Sequence, residues 1–309
     1  MLEIRDAAGT LLADIPLNAL RVSERLGNTR RRLEFADGSS FDTADNDGVD
    51  QMLGRRSLLH RLENSWRVVL GLILVASLSA AAFAMYGVPA AAGWMARHTP
   101  ASVSAYVTRQ SLEALDKIAL DDSKTPTAVQ QHYRALLAGL AANAPRGVNG
   151  YRLVFRAAPA IGPNAFALPD GTIIVTDQII PLVKSDAEIE GVFAHEISHV
   201  DRAHGLQRIY QASLVPAAIA FITGDASQLG QFATILPGIL LQSAYSRDFE
   251  QRADDDAARL MRRMGKSPAP LGDLLERMES KLCGKDACGP GWLGSHPATA
   301  ARAFRLRKL

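Results

Sequence analysis

A long apolar stretch without charge constrains this chain more than any other feature. Between Val68 and Ala96 no residue carries a formal charge, and the part from Val68 to Tyr86 is almost unbroken apolar sequence. A helix rises about 1.5 Å per residue, so this part would span most of the roughly 30 Å hydrocarbon layer of a bilayer. Because about 65 residues precede it, the stretch is typical of an uncleaved signal anchor. A buried core helix is the alternative.

The basic residues around this stretch predict its orientation. Arginines crowd its N-terminal side at Arg55, Arg56, Arg61 and Arg67. Shortly after Tyr86 there is only Arg97. Positive charge favours the cytoplasmic side, so we expect a single-pass protein of the inner (cytoplasmic) membrane that contacts lipid through residues 67–86. The N-terminus would lie in the cytoplasm and the larger C-terminal part in the periplasm. A cytoplasmic location of that larger part is the alternative.

Composition places the chain among ordinary folded proteins. Of its 309 residues, 48% are hydrophobic and 21% charged, which excludes disorder and leaves room for one large domain and a small one. The 34 basic and 32 acidic residues nearly balance, so we expect no nucleic acid as a partner. Two cysteines exclude a disulfide-rich scaffold.

The chain divides into four segments. Residues 1–50 alternate with period two between glycine-containing turns, which predicts a small all-β domain on the cytoplasmic side. A basic linker at 51–66 leads to the transmembrane anchor and its apolar flank at 67–96, and the large domain occupies 98–309. The β domain is either a binding module or a passive cap before the anchor. Nothing in its sequence suggests chemistry.

Helical and strand patterns follow one another in the large domain. Two helical patterns lie between residues 100 and 145, and strand patterns follow in YRLVFRAAPA and AFALPDGTIIVTDQ. Ser185 followed by Glu188 is a capping-box signature, which predicts a helix that runs until Gly205 stops it. The predicted fold class is therefore α+β: a mainly helical domain with a small sheet, preceded by one transmembrane helix and a small β domain.

The helix that ends at Gly205 contains the motif HEISH, formed by His195, Glu196 and His199. Two histidines four residues apart stand on one face of a helix, where both can bind one zinc ion. Glu196 lies about 100° further round, so it can reach a water molecule beside the metal instead of the metal itself. A catalytic zinc site takes three protein ligands and leaves one position for water. The third ligand must come from elsewhere in the chain.

Several residues are candidates for that third ligand. A metzincin pattern is excluded, because it needs a glycine and a histidine where this chain has Arg202 and Gly205. The helical register turns His204 away from the other two histidines, so we expect it to cap or pack. Glu250 and Asp254 share one face of a predicted helix; Glu250 could bind zinc while Asp254 accepts a hydrogen bond from a ligating imidazole. On spacing alone, a solvated charged face is the default interpretation.

Four separated motifs occur in a fixed order, namely GPNAFALPDGTIIVTDQ, HEISH, FEQRAD and HPATAAR. In this combination residues 100–309 resemble the gluzincins of metallopeptidase family forty-eight, which include HtpX-type proteases, the Oma-type mitochondrial protease and the CAAX prenyl endopeptidases. The resemblance implies a zincin-type metallopeptidase domain at 98–309 with one zinc ion per chain. It also implies endoproteolytic hydrolysis of protein or peptide substrates.

The resemblance assigns roles to residues of this chain. It implies that His195, His199 and Glu250 ligate zinc. It also implies that Glu196 is the general base and that Asp254 orients a ligating imidazole.

Further roles follow from the outer motifs. The resemblance implies that Asn164, Ala165, Phe166 and Ala167 belong to an edge strand with which an extended substrate pairs. His296 matches a family histidine near the metal, which either steadies the oxyanion or occupies the open position as a regulatory ligand. Arg302 matches the arginine six residues on, and we expect it to help stabilise the oxyanion.

Two features leave alternatives open. The apolar segment 206–243 is either a pair of helices that pack over the site as a lid or a membrane hairpin. Interruptions at Pro216 and Pro237 favour the lid. Cys283 and Cys288 would form a small disulfide in an oxidising periplasm and stay free thiols in the cytosol.

Together these inferences predict a membrane-anchored zinc endopeptidase. The resemblance to the family also implies that it acts in the quality control of envelope proteins. The alternative is an anchored binding or chaperone-like protein whose zinc site is structural, with His296 closing the fourth position. An open fourth position and chelator-sensitive cleavage would distinguish the enzyme from the binding protein.

Overall fold

The computed structural model describes residues 2–5, 8–27, 29–53, 66–223, 246–282, 296 and 300–309. The chain divides into two units, Met1–Ala82 and Phe83–Leu309. Three predictions fall wholly or partly outside the described residues: the basic linker, the second half of the apolar segment 206–243, and the pair Cys283 and Cys288.

Short antiparallel strands form the N-terminal part of the first unit, as the period-two alternation predicts, and two helices follow them. The elements are β1 (Leu2–Arg5), β2 (Leu11–Ile15), β3 (Arg21–Val22), β4 (Arg31–Glu34), β5 (Ser40–Thr43) and the helices α1 (Asn46–Met52) and α2 (Trp66–Ala82). β1 pairs with β2, and β3, β4 and β5 form a three-stranded sheet in that order. Asp50 accepts hydrogen bonds at 2.5 Å from both Arg25 and the buried Arg31, so this unit neutralises part of its own positive charge.

The charge-free stretch is helical. α2 leads through a π-helical turn, Phe83–Gly87, into α3 (Val88–Arg97). Among the described residues, the stretch Trp66–Arg97 is the one helix long and apolar enough to cross a membrane. None of the residues of α2 is buried, so this apolar surface does not belong to a core helix of the protein. The structure therefore gives no support to the alternative of a buried core helix.

Helices surround one mixed sheet in the second unit. The helices are α4 (Ala101–Ile118), α5 (Thr127–Ala141), α6 (Asp186–Asp201), α7 (His204–Thr223), α8 (Arg247–Arg263), α9 (Ala269–Leu282) and α10 (Ala300–Lys308). The strands are β6 (Asp121–Asp122), β7 (Arg152–Ala157), β8 (Ala165–Ala167) and β9 (Thr172–Thr176), in the order β6-β7-β9-β8. β7 and β9 are parallel and the other two pairings antiparallel. With these elements the fold is α+β, as predicted.

Both faces of the sheet are buried, and one of them positions α6. Alternate strand residues such as Phe155 and Val175 pack with Val192 and Phe193 of α6 in one core cluster. The residues between them, such as Ile174, join a second cluster. Because strand side chains alternate between faces, the short sheet can separate these two cores. The helix that contains HEISH is thereby fixed between the sheet and the C-terminal helices.

The start of α6 is secured by a carboxylate rather than by a hydroxyl. Glu188 Oε2 accepts the backbone N–H of Lys184 at 2.8 Å, and both Glu188 oxygens accept hydrogen bonds from Arg277 of α9 at 2.6 and 2.8 Å. Ser185 is the N-cap, but its side chain makes no capping hydrogen bond. The predicted start of the helix is therefore correct, but the bond of Glu188 is not that of a capping box, because it goes to the residue before the N-cap.

The end of α6 differs from the prediction. The helix stops at Asp201, and Ala203 adopts the left-handed conformation with φ 53° before α7 begins at His204. Gly205 thus lies in the first turn of a new helix and does not terminate the old one. An alanine in this conformation costs about 1 kcal/mol. Side-chain hydrogen bonds to the last carbonyls offset part of that cost, from Arg146 to Val200 and from Gln207 to Arg202, both at 2.7 Å.

Candidate metal centre

Four buried side chains converge where α6 meets α8. His195 and His199 come from α6, Glu250 from α8 and His296 from the segment before α10. Each offers one ligand atom, and these atoms all lie within 4.8 Å of one another. Three imidazoles and a carboxylate form a donor set suited to zinc.

Close packing of α8 against α6 brings Glu250 to the histidines. Ser246 is the N-cap of α8, and its hydroxyl accepts the N–H of Phe249 at 3.2 Å. One turn apart, Glu250 and Asp254 point to the same buried face, at 4% and 0% exposure. Ala253 and Ala257 are small and buried, which lets the two helices approach closely. The default interpretation of a solvated acidic face is therefore wrong for these two carboxylates.

The spacing of the donor atoms fits a zinc ion. His195 Nε2 lies 3.0 Å from His199 Nε2 and 3.5 Å from Glu250 Oε2. Glu250 Oε1 lies 3.3 Å from His199 Nε2 and 2.9 Å from His296 Nδ1. Tetrahedral ligands about 2.0–2.1 Å from zinc stand about 3.3 Å apart, which is close to these separations. The residues present can therefore hold the metal that the HEISH motif predicts.

Glu196 lies beside this ligand group and outside it. The side chain is fully buried on α6, and its Oε1 is 3.6 Å from His296 Nε2. This is the placement that the motif predicts, with the carboxylate next to the ligand atoms but not among them.

An ion-pair network supports the ligands on the side of α10. His195 Nδ1 lies 3.0 Å from Asp254 Oδ1. Arg302 donates to both oxygens of Asp254, from Nε at 2.6 Å and from Nη2 at 2.8 Å. Its Nη1 also lies 2.6 Å from Glu250 Oε2. The guanidinium of Arg302 thus joins the two carboxylates that face the histidines.

An aromatic pair supports the ligands on the opposite side. His204 Nδ1 lies 3.0 Å from His199 Nδ1. The ring of His204 stacks on that of Phe249, with centroids 4.1 Å apart and an angle of 5° between the planes. The prediction that His204 faces away from the motif is wrong, because it assumed a continuous helix across Ala203. Periodicity alone gave no signal for this contact.

The two sides of the centre create different electrostatic surroundings. Burial lowers the pKa of His195, but Glu250 and Asp254 outweigh it and raise the pKa to about 9. Burial holds the pKa of His199 well below its usual value and that of His204 at about 3. Burial would raise the pKa of Glu250, yet the neighbouring His296 and Arg302 hold it well below its ordinary range. Glu250 is therefore ionised, and its negative charge favours binding of a cation in this buried site.

Comparison with known proteins agrees with this centre. A profile of peptidase family M48 matches residues 126–309. The chain belongs to peptidase family M48. It is similar to the metalloproteases LoiP and YcaL of Escherichia coli, at 30% identity over 196 residues and 29% over 193. Each alignment covers 61% of this chain, with 75% of LoiP and 74% of YcaL.

A eukaryotic relative matches over a shorter region. The mitochondrial metalloendopeptidase OMA1 of Schizosaccharomyces pombe is 27% identical over 146 residues, which cover 47% of this chain and 43% of that relative. Residues 2–56 match a separate profile described as a domain of unknown function, DUF7092. This M48 protein is a membrane-associated zinc metalloendopeptidase, as its motifs predict.

The predicted substrate strand of the M48 domain lies at an edge of the sheet. β8 pairs with β9 on one side and is the last strand in the sheet order of the described residues. It packs next to α6, and the residues predicted to bind substrate are all buried: Asn164, Ala165, Phe166 and Ala167. The N–H of Asn164 donates to Thr176 Oγ1 at 2.7 Å, which fixes the start of the strand. Its role in substrate binding stays a prediction.

Proposed function

We propose that His195, His199 and Glu250 hold one zinc ion per chain and that Glu196 is the general base for peptide-bond hydrolysis. The observation that carries this proposal is that buried side chains of α6 and α8 bring their donor atoms to the separations expected of zinc ligands. Glu196 lies directly beside these atoms. Membership of the M48 family supports the same assignment.

The chemistry divides between the metal and the side chains. When bound, zinc polarises the scissile carbonyl and lowers the pKa of a water molecule toward neutrality. Glu196 takes the proton of the attacking water and passes it to the leaving amine. Asp254 Oδ1 lies 3.0 Å from His195 Nδ1. It thereby holds His195 in the tautomer that carries its proton on Nδ1, so that the lone pair of Nε2 is directed at the metal.

His296 has two proposed roles, which correspond to a latched and an open site. Its Nδ1 lies within the ligand group, 3.3 Å from His195 Nε2, which supports a latch that fills the fourth position. Oxyanion stabilisation is the other role, and it would require the ring to leave this position, in which its Nε2 is 3.6 Å from Glu196 Oε1. A site latched by His296 permanently would be structural and would correspond to the binding-protein alternative.

Arg302 acts in this proposal through the carboxylates. Its hydrogen bonds to Asp254 and its contact with Glu250 support a role in holding the ligand carboxylate and the partner of His195 in place. Direct stabilisation of the oxyanion by Arg302 stays a prediction.

We infer that the protein is a single-pass protein of the inner membrane with a periplasmic protease domain, and that it cleaves unfolded or damaged envelope proteins. The arginines before Trp66 support this orientation. The extended substrate would pair with β8, the last strand in the sheet order of the described residues. A reporter enzyme fused after Leu309 tests the orientation, because its activity would report a periplasmic or a cytoplasmic C-terminus.

Glu196→Gln in the full-length protein tests the catalytic assignment. We expect zinc content equal to that of the wild type and cleavage of a casein-type substrate reduced about 10²- to 10⁴-fold, the usual contribution of a general base. Glu113→Gln, at an exposed glutamate of α4, is the matched control and should cleave at the wild-type rate. Wild-type cleavage by the Glu196 variant would contradict the proposal, and so would activity that resists chelation.

A further inference from the structure

A zinc-ligating histidine usually has a second partner. When an imidazole binds metal through Nε2, its Nδ1 carries a proton, and the acceptor of that proton fixes both the tautomer and the plane of the ring. For His195 the acceptor is Asp254. For His199 the atom beside Nδ1 is Nδ1 of His204, at 3.0 Å.

The break between α6 and α7 brings His204 to this position. In a continuous helix a residue five positions after His199 would lie about 140° away around the axis. Because Ala203 takes φ 53° and a new helix starts at His204, the imidazole instead faces back toward the end of α6. The left-handed conformation of Ala203 thus places His204 beside one of the candidate ligands of the metal centre.

A stacked ring from α8 holds His204 in this orientation. His204 is 1% exposed, and its ring lies parallel to that of Phe249, which directly precedes Glu250 in α8. The stacking leaves the ring edge, with Nδ1, directed at His199. His204 itself stays outside the group of four ligand atoms.

We propose that His204 is a positioning residue that accepts the Nδ1–H of His199 and thereby directs His199 Nε2 at the zinc ion. The proposal rests on the proposed function, in which His199 is a ligand. His204 acts as a neutral imidazole, with its own proton on Nε2 and the lone pair of Nδ1 as acceptor. The two motif histidines therefore have different supports, a carboxylate for His195 and an imidazole for His199.

Two variants of the full-length protein separate an acceptor from a packing role. His204→Asn places an amide oxygen near the position of Nδ1, whereas His204→Leu fills the space without an acceptor. We expect His204→Leu to weaken zinc binding about 10- to 100-fold, as other losses of a partner behind a ligand do. His204→Asn should stay within about threefold of the wild type. Competition with a chelator measures these affinities, and thermal unfolding of the metal-free proteins shows whether each variant folds.

Each outcome of this experiment is decisive. Wild-type affinity in His204→Leu, or equal weakening in both variants, overturns the proposal. A wild-type protein that binds no zinc would instead contradict the proposed function. Should His204→Leu fail to fold, long-range ¹H–¹⁵N spectra of the zinc-loaded wild type decide, since the proposal requires the proton on Nδ1 of His199 and none on Nδ1 of His204.

Discussion

The two histidines of HEISH are equivalent in the motif, but the structure gives them different surroundings. Behind His195 lie Asp254 and the guanidinium of Arg302, so that side of the centre consists of buried charges. Behind His199 lie the rings of His204 and Phe249, so that side consists of aromatic contacts. The pKa of His195 is raised to about 9, whereas that of His199 is held well below its usual value.

This difference shows how one helix can present two unequal ligands to one metal. A carboxylate behind an imidazole makes the imidazole a stronger base, and a neutral acceptor fixes its orientation without adding charge. The charged side therefore contributes both basicity and ion pairing, and its loss should lower the free energy of unfolding more than the loss of the aromatic stacking does. The following predictions test that order.

The largest effect should come from Arg302→Gln, which removes the guanidinium from the buried carboxylates Asp254 and Glu250. We expect a loss of about 3–5 kcal/mol in the free energy of unfolding of the metal-free protein. Arg305→Gln on the same helix is the control, because its pair with Asp255 is about one-third exposed and should contribute less than about 1 kcal/mol. Denaturant unfolding measures both losses. Equal losses in the two variants would show that the buried ion pairs of Arg302 contribute no more to stability than an exposed pair.

Asp254→Asn should weaken zinc binding about 10- to 100-fold, because His195 loses its anionic acceptor. Chelator competition measures the effect, with the partly exposed Asp255→Asn as the matched control. The comparison with His204→Asn is the informative one: the amide should substitute for an imidazole acceptor behind His199 but not for a carboxylate behind His195. Similar zinc affinities for these two asparagine variants would mean that His195 and His199 do not differ in the kind of acceptor that they require.

Glu188 and Arg277 provide an ion pair away from the ligand group. Burial would raise the pKa of Glu188, but Arg277 and the N–H of Lys184 lower it below its usual 4.5. The pair therefore stabilises the fold at pH values above 4.5 and loses its effect as the pH falls through the lower pKa of the folded protein. At pH 7 we expect the free energy of unfolding of Glu188→Gln to be about 2 kcal/mol lower than that of the wild type.

The difference between Glu188→Gln and the wild type should vanish in acid. Unfolding curves of both proteins from pH 7 into acid measure it, since below the lowered pKa of the folded protein the carboxyl of the wild type is protonated in both states. A difference that stays constant across this range would mean that shape, not charge, stabilises the start of α6.

The smallest effect should come from Phe249→Leu. It removes the stacked ring but keeps apolar volume beside His204, so we expect a loss of about 1 kcal/mol in the free energy of unfolding. Zinc affinity should change by less than about threefold, because Nδ1 of His204 keeps its place in α7. An affinity loss as large as that of His204→Leu would mean that the stacking, rather than the acceptor, positions His199.

Local patterns determined much of this protein. Four-residue spacing placed His195 with His199 and Glu250 with Asp254 on common helix faces, and period-two alternation located the strands of the first unit. The charge-free run from Val68 to Ala96 predicted the long apolar helix. These features depend on neighbours a few residues away, and for that reason they can be read in the sequence.

Contacts between distant segments were decided only by the tertiary structure. Packing of α8 on α6 turned Glu250 and Asp254 from a plausible solvated face into a buried pair, and α10 supplied Arg302 to them. The left-handed turn at Ala203 brought His204 behind His199, against the register of a continuous helix. A periodic pattern records which residues share a face of one element. What that face meets depends on the packing of elements far apart in the chain, and here that packing determined how each motif histidine is supported.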